Sequence, residues 1–117
     1  MSNDTDRLTI TLTDHVPVNI VKAEWPVIAK AKDDDAQQSG NEPFRTWRLT
    51  VRQHADGRTL IYGVYDTAWP NENDRRDGQL LPAGGDMVAA IHTVAEAIRA
   101  PEYLARACIA DLPAEDA

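Results

Sequence analysis

Residues 47–65, WRLTVRQHADGRTLIYGVY, alternate apolar and polar side chains on both sides of Asp56-Gly57. Trp47, Leu49 and Val51 fall on one face of the first run, and Thr46, Arg48, Thr50 and Arg52 on the other. In the second run Leu60, Tyr62 and Val64 alternate with Ile61, Gly63 and Tyr65. A period of two predicts two strands, and Asp-Gly between them predicts a hairpin. Two registers fit. A two-residue loop sets Val51 opposite Tyr62 and Arg48 opposite Tyr65. A three-residue turn over Ala55-Asp56-Gly57, with Gly57 bulged, sets Trp47 opposite Tyr65, and this is the preferred reading. The difference matters because a slip of one residue changes which side chains reach the core.

The same period recurs in RLTITLT, residues 7–13, where Leu8, Ile10 and Leu12 alternate with threonines. This strand is expected to pair beside the central hairpin. In NIVKAEWPVIAKAK, residues 19–32, the pattern changes. Asn19 suits an N-cap, and Ile20, Ala23, Val27 and Ile28 approximate a helical face interrupted by Pro26, so a short helix is expected over about residues 20–31. Residues 33–43 and 67–79 lack periodicity and are rich in turn formers, which predicts loops. Gln79-Leu80-Leu81 suggests a short additional strand. After Gly84-Gly85, Asp86 caps a helix in which Met87, Ala90, Ile91, Val94, Ala95 and Ile98 recur at spacings of three and four. Arg99 closes that helix and Pro101 stops it. PEYLARACIADL opens a second helix with Tyr103, Leu104, Ala107 and Cys108 as its buried stripe.

These elements predict one α+β domain over residues 1–117, with residues 1–6 and 113–117 frayed. The architecture is an antiparallel sheet of three to five strands with a central hairpin. A C-terminal helix pair and the short N-terminal helix pack on one face. The expected core is Leu8, Ile10, Leu12, Trp47, Leu49, Val51, Ile91, Val94 and Ile98. Length and composition agree: 117 residues, 43% apolar and 26% charged, describe an ordinary globular domain. No apolar run approaches the roughly 18 residues of a membrane span, and MSNDTDRLTI lacks the basic and apolar regions of a secretory signal. With a lone Cys108, these features lead to the expectation of a cytoplasmic protein in a reducing compartment.

The net charge of −7 is unevenly spread. Residues 1–43 carry −4, residues 44–83 carry +1, and residues 84–117 carry −4. Overall acidity argues against direct nucleic-acid binding, which draws its affinity from clustered Lys and Arg. The histidines, His15, His54 and His92, have no second ligand at metal spacing, so no metal site is expected. Asp33, Asp34 and Asp35 lack the spacing of a calcium loop and read as a solvated run. Cys108, flanked by Ala107 and Ile109, reads as a packed apolar group. Ala83-Gly84-Gly85 reads as helix punctuation, since Asp86 would repel an anion there. No cofactor is implied.

The remaining chemistry is a basic-aromatic patch. Arg48 and Arg52 project from one strand face, Tyr65 can join them, and Trp69 lies in the polar segment that follows. Arg, Tyr and Trp are the residues that anchor protein interfaces. These four are therefore the candidate partner-binding residues, with no catalytic residues named. The segment VRQHADGRTLIYGVYDTAW, with Trp47 before it, also resembles small uncharacterised acidic accessory proteins of bacterial plasmids and integrative elements. Trp47, Arg52, His54, Asp56, Gly57, Arg58, Tyr62 and Gly63 carry the resemblance. It implies a setting, an accessory gene of a mobile element, and no activity.

The leading expectation is a non-enzymatic protein-binding or regulatory module that uses the outer face of the hairpin, including as a homodimer. The alternative is an acidic DNA-mimic inhibitor of a nuclease, of the anti-restriction or anti-CRISPR type, working through its terminal carboxylates. A small enzyme using Cys108 or His54 ranks last.

Overall fold

The Asp56-Gly57 hairpin forms in its bulged register. Gly57 donates its N–H to the His54 carbonyl at 2.9 Å, and His54 donates to the Arg58 carbonyl at 2.9 Å. Gly57 sits at φ +96°, a conformation that glycine adopts without steric cost. Trp47 consequently opposes Tyr65, Leu49 opposes Gly63 and Val51 opposes Ile61.

The computed structural model describes residues 7–13, 15–34, 45–67 and 73–113. The elements are β1 (Arg7–Thr11), β2 (Pro17–Val21), a 3-10 turn (Lys22–Glu24), β3 (Val27–Asp34), β4 (Arg45–Gln53), β5 (Thr59–Thr67), β6 (Arg75–Leu81), α1 (Met87–Ala97) and α2 (Glu102–Ala110). The fold is α+β with two antiparallel sheets, one of order β1-β2 and one of order β3-β4-β5-β6.

The short helix expected over residues 20–31 is not seen. Ile20 pairs with Leu8 in the small sheet, and Val27–Asp34 pairs with β4. Between them only the 3-10 turn forms, closed by Trp25 N–H on the Lys22 carbonyl at 3.1 Å. Pro26 has no N–H to continue a helix, while its carbonyl accepts from Gln53 N–H at 3.1 Å. In β3, Ala29 is buried and Lys30 exposed, and Ala31 is partly buried before exposed Lys32. That is the two-residue period of a strand with one covered face.

Three other expectations are corrected. β1 does not pair beside the central hairpin but joins β2 in its own hairpin. Asp33 and Asp34 belong to β3, opposite Trp47 and Thr46, where ladder pairing overrides their low strand propensity. The segment 67–79 is not one loop, because Thr67 ends β5 and β6 begins at Arg75, opposite Tyr65.

The four-stranded sheet carries a core on each face. On the inner face, Leu49, Val51, Ile61 and Tyr65 pack with Ile91, Val94 and Ile98 of the α1 segment and with Leu104 and Cys108 of α2. On the outer face, Ile10, Ile20, Trp25 and Leu60 form a second core, joined by the partly buried Leu8, Leu12, Val18 and Tyr62. The β1-β2 hairpin thus lies over β5 and β6. Its end is tied there by Thr13, whose N–H donates to the Gly78 carbonyl at 2.9 Å. Of the expected core, Leu8, Leu12 and Trp47 are only partly buried.

α1 begins as the sequence predicts, with the Asp86 carboxylate accepting from Ala89 N–H at 3.0 Å. It ends in a Schellman arrangement: Ala100 N–H reaches the Ala95 carbonyl at 2.9 Å, and Arg99 N–H reaches that of Glu96 at 3.0 Å. Arg99 takes φ +58° at the position where glycine is favoured. At the centre of the inner face, a Cβ on Gly63 would stand 2.8 Å from Ile98 Cδ1 and 2.9 Å from Val94 Cγ1. The bare backbone of Gly63 is what lets α1 lie so close to β5.

Two stability predictions follow from this geometry. Gly63→Ala should destabilise the fold by about 1–3 kcal/mol through overpacking, measured by urea denaturation; a neutral effect would mean that α1 does not rest on β5. Arg99→Gly should stabilise by roughly 0.5–1 kcal/mol, because the left-handed residue loses its steric penalty. A lower melting temperature for that variant would contradict the assigned helix end.

Candidate binding face

The four residues singled out from sequence do not form one patch. Arg48 is exposed on the outer face and pairs with Asp66 at 2.6 Å. Arg52 lies on the same face but is committed to the fold. Its Nε donates to the Tyr62 hydroxyl at 2.9 Å and its guanidinium donates to the Trp25 carbonyl at 3.0 Å. Tyr65 belongs to the opposite face: it is 2% exposed, stacks on Trp47 with ring centroids 4.8 Å apart, and has the Arg75 guanidinium 5.3 Å from its ring centre. The bulged register turns it inward, away from Arg48. Trp69 lies outside the described residues.

In their place the sheet assembles a different set. The β3–β4 ladder puts Lys32 opposite Arg48 and Lys30 opposite Thr50, while β5 and β6 continue the first row with Val64 and Arg76. Lys30, Lys32, Arg48 and Arg76 are all exposed. Asp66, 2.6 Å from Arg48 and 4.0 Å from Arg76, is an acid set among them. A cleft of about 430 Å³ runs over Lys30, Ala31, Lys32, Arg48, Leu49 and Thr50. This is the half of the outer face that the β1-β2 hairpin does not cover.

Sequence reasoning missed Lys30 and Lys32 because residues 20–31 read as a helix. Asp35 of the acidic run lies outside the described residues. Asp33 accepts a hydrogen bond from the Tyr103 hydroxyl, which ties α2 to β3.

A larger cleft, about 630 Å³, opens beside the hairpin turn between Glu24, Pro26, Gln53, His54 and Gly57. Its polar groups serve the turn itself. His54 Nδ1 accepts from Asp56 N–H at 3.1 Å. The Asp56 carboxylate also lies 3.1 Å from the same nitrogen. The Arg58 N–H, at 3.0 Å, and then its guanidinium, at 2.8 Å, hold the Asp56 carboxyl below its ordinary range. Arg58 also lies 5.1 Å from the centre of the Trp25 ring, whose other neighbour is the His54 ring, also at 5.1 Å.

Cys108 packs in the inner core with no exposure. Burial, reinforced by the negative charge of Asp111, pushes its thiol up to about 11. The thiolate is the nucleophilic form, so at neutral pH this sulfur is a protonated packing group. Among the described residues no group of three His, Cys, Asp or Glu could hold a metal, and no helix is long and apolar enough to cross a membrane. No family model, curated protein or solved structure matches the chain.

The buried thiol carries a pH prediction. The folded state holds the Cys108 proton more tightly than the unfolded state, whose ordinary value is near 9.0. This contribution to stability is complete below pH 9 and is lost as pH rises through about 11. Two pH units correspond to about 2.7 kcal/mol at most. The stability difference between wild type and Cys108→Ala should therefore shrink over that range in denaturation curves. A difference independent of pH would show that the sulfur is solvated.

Proposed function

We propose that this chain is a non-enzymatic binding module that docks an acidic protein segment on the cationic β3–β4 half of its outer sheet face. The observation carrying this reading is the gathering of exposed Lys30, Lys32 and Arg48 on the β3–β4 half of that face, away from the β1-β2 hairpin, with exposed Arg76 beyond Val64 in the same row. Lys30, Lys32 and Arg48 stand side by side on two paired strands, with Asp66 beside Arg48, and their summed positive field favours a partner of opposite sign. The centre of the site moves from Arg52 and Tyr65 to the β3 lysines, and Arg48 remains in it. The resemblance to mobile-element accessory proteins is compatible with such a role and supplies its proposed setting.

A protein partner is favoured over nucleic acid because the cationic cluster is small, whereas nucleic-acid affinity is built on many Lys and Arg contacts to phosphates. A homodimer through this face is disfavoured by the same lysines, which would meet their own copies.

The test uses a fluorescent decapeptide of glutamate, aspartate, valine and threonine. It should bind wild type, weakening as salt rises. Lys30→Glu with Lys32→Glu should weaken binding by about tenfold or more, equivalent to about 1.4 kcal/mol. Arg7→Glu with Lys22→Glu makes the same change in net charge elsewhere, on exposed residues of the small hairpin and the turn, and should have little effect. Equal losses from both pairs would reduce the interaction to net charge and sink the site. Tighter binding of single-stranded oligothymidylate than of the peptide would overturn the choice of partner.

A further inference from the structure

β3 is a terminal strand of the four-stranded sheet. In an antiparallel ladder, residues alternate between exchanging both backbone bonds with the neighbour and turning both groups away from it. Lys30 stands opposite Thr50, yet its N–H leaves the sheet and donates to the Asp111 carboxylate at 2.9 Å. Lys30 therefore belongs to the outward set, and by alternation so does Lys32. Ala29, Ala31 and Asp33 belong to the set turned toward β4. The same parity puts the Lys30 and Lys32 side chains on the outer face beside Arg48.

We propose that the edge of β3 takes up an extended acidic peptide by strand addition. A carbonyl of the peptide accepts the Lys30 N–H in place of Asp111, and carboxylates at every second position lie over Lys30, Lys32 and Arg48. This rests on the reading of the face as an acidic-peptide site and adds the mode of binding. Strand addition draws affinity from main-chain hydrogen bonds and specificity from alternate side chains. Charge selects the occupant. A second copy adding through its own β3 would set lysines against lysines, and like charges directly opposite are destabilising. A strand with glutamate at every second position presents the complementary row.

Asp111 already illustrates the chemistry. It follows the last turn of α2, donates its N–H to the Ala107 and Cys108 carbonyls at 3.1 Å, and rests its carboxylate on an outward N–H of a lysine-bearing edge. Edge strands are commonly blunted by charge or by covering groups. Among the described residues the Asp111 carboxylate covers the edge at the Lys30 N–H, and it competes with the incoming peptide for that donor.

Two peptides of about seven residues, alternating glutamate and valine, separate strand addition from surface docking. One has an ordinary backbone; the other is N-methylated at alternate residues, so that it keeps its charge but cannot add to an edge. The ordinary peptide should bind the full chain and give cross-strand NOEs to the Lys30–Lys32 backbone, and the methylated one should bind about tenfold more weakly or worse. Asp111→Ala should raise the affinity of the ordinary peptide about threefold, since one competing acceptor is removed. Equal affinities for the two peptides, both still lowered by Lys30→Glu with Lys32→Glu, would overturn strand addition while leaving the charged face intact. Absence of binding by either peptide would overturn both readings. A fall in affinity in Asp111→Ala would overturn the placement of the peptide over Lys30.

Discussion

The left-handed backbone at Gly57 governs the rest of the molecule. It closes a three-residue turn in which the bulge fixes Trp47 against Tyr65 and Val51 against Ile61. Because side chains alternate with period two, a slip of one residue on β5 would exchange its inner and outer sets. Tyr65, Gly63 and Ile61 would leave the helices, and Gly63 could no longer supply the thin spot on which α1 rests. The turn packs tightly as well: a Cβ at Gly57 would lie 2.9 Å from Ala83 Cβ, where the chain passes from β6 to α1. One backbone conformation thus serves the hairpin register and the approach of the helical layer.

A second dependency runs through Trp25. Its ring is buried in the outer core with Ile10, Ile20 and Leu60, and its exposed side is closed by Arg58 and His54. Its carbonyl accepts from Arg52, which also holds the Tyr62 hydroxyl. The residues that suggested a shared motif, Arg52, His54, Asp56, Gly57, Arg58 and Tyr62, therefore build and brace the hairpin around this one indole. They account for a recognisable sequence signature without any ligand. Arginines here follow two different rules: Arg52 is consumed in satisfying a carbonyl in the fold, whereas Arg48 stays on the surface with a partly exposed carboxylate beside it.

What the sequence revealed divides along the reach of the interactions. The hairpin, its bulged turn, the Asp86 cap and the spacing of Ile91, Val94 and Ile98 are local, and each was legible. β3 was not. Its Ala-Lys repeats suit a helix by intrinsic propensity, and only pairing with β4 makes it a strand. Misreading β3 also concealed the candidate site, because Lys32 meets Arg48 through a ladder that links distant stretches of chain. The placement of β1-β2 over β5 and β6 was equally invisible, since alternation in Leu8, Ile10 and Leu12 reports one buried face without saying what buries it. Tyr65 is buried for a related reason: the bulged register sets it opposite Trp47 on the inner face, whereas only the two-residue loop would have set it opposite Arg48.

Net charge was the other source of error. A total of −7 suggested an acidic protein with at most a mildly basic centre. Electrostatic influence across water fades over about 8 Å at physiological salt, so a surface is defined by the charges within that reach and not by the chain total. On the β3–β4 half of the outer face those charges include Lys30, Lys32 and Arg48, with Asp66 beside Arg48 and Arg76 farther along the row on β6. Placing lysines on a terminal strand already discourages self-pairing, which is the usual hazard of an open edge. The same arrangement leaves attraction available to a strand of opposite sign. A device that protects the fold from its own copies therefore also selects the chemistry of what can approach it.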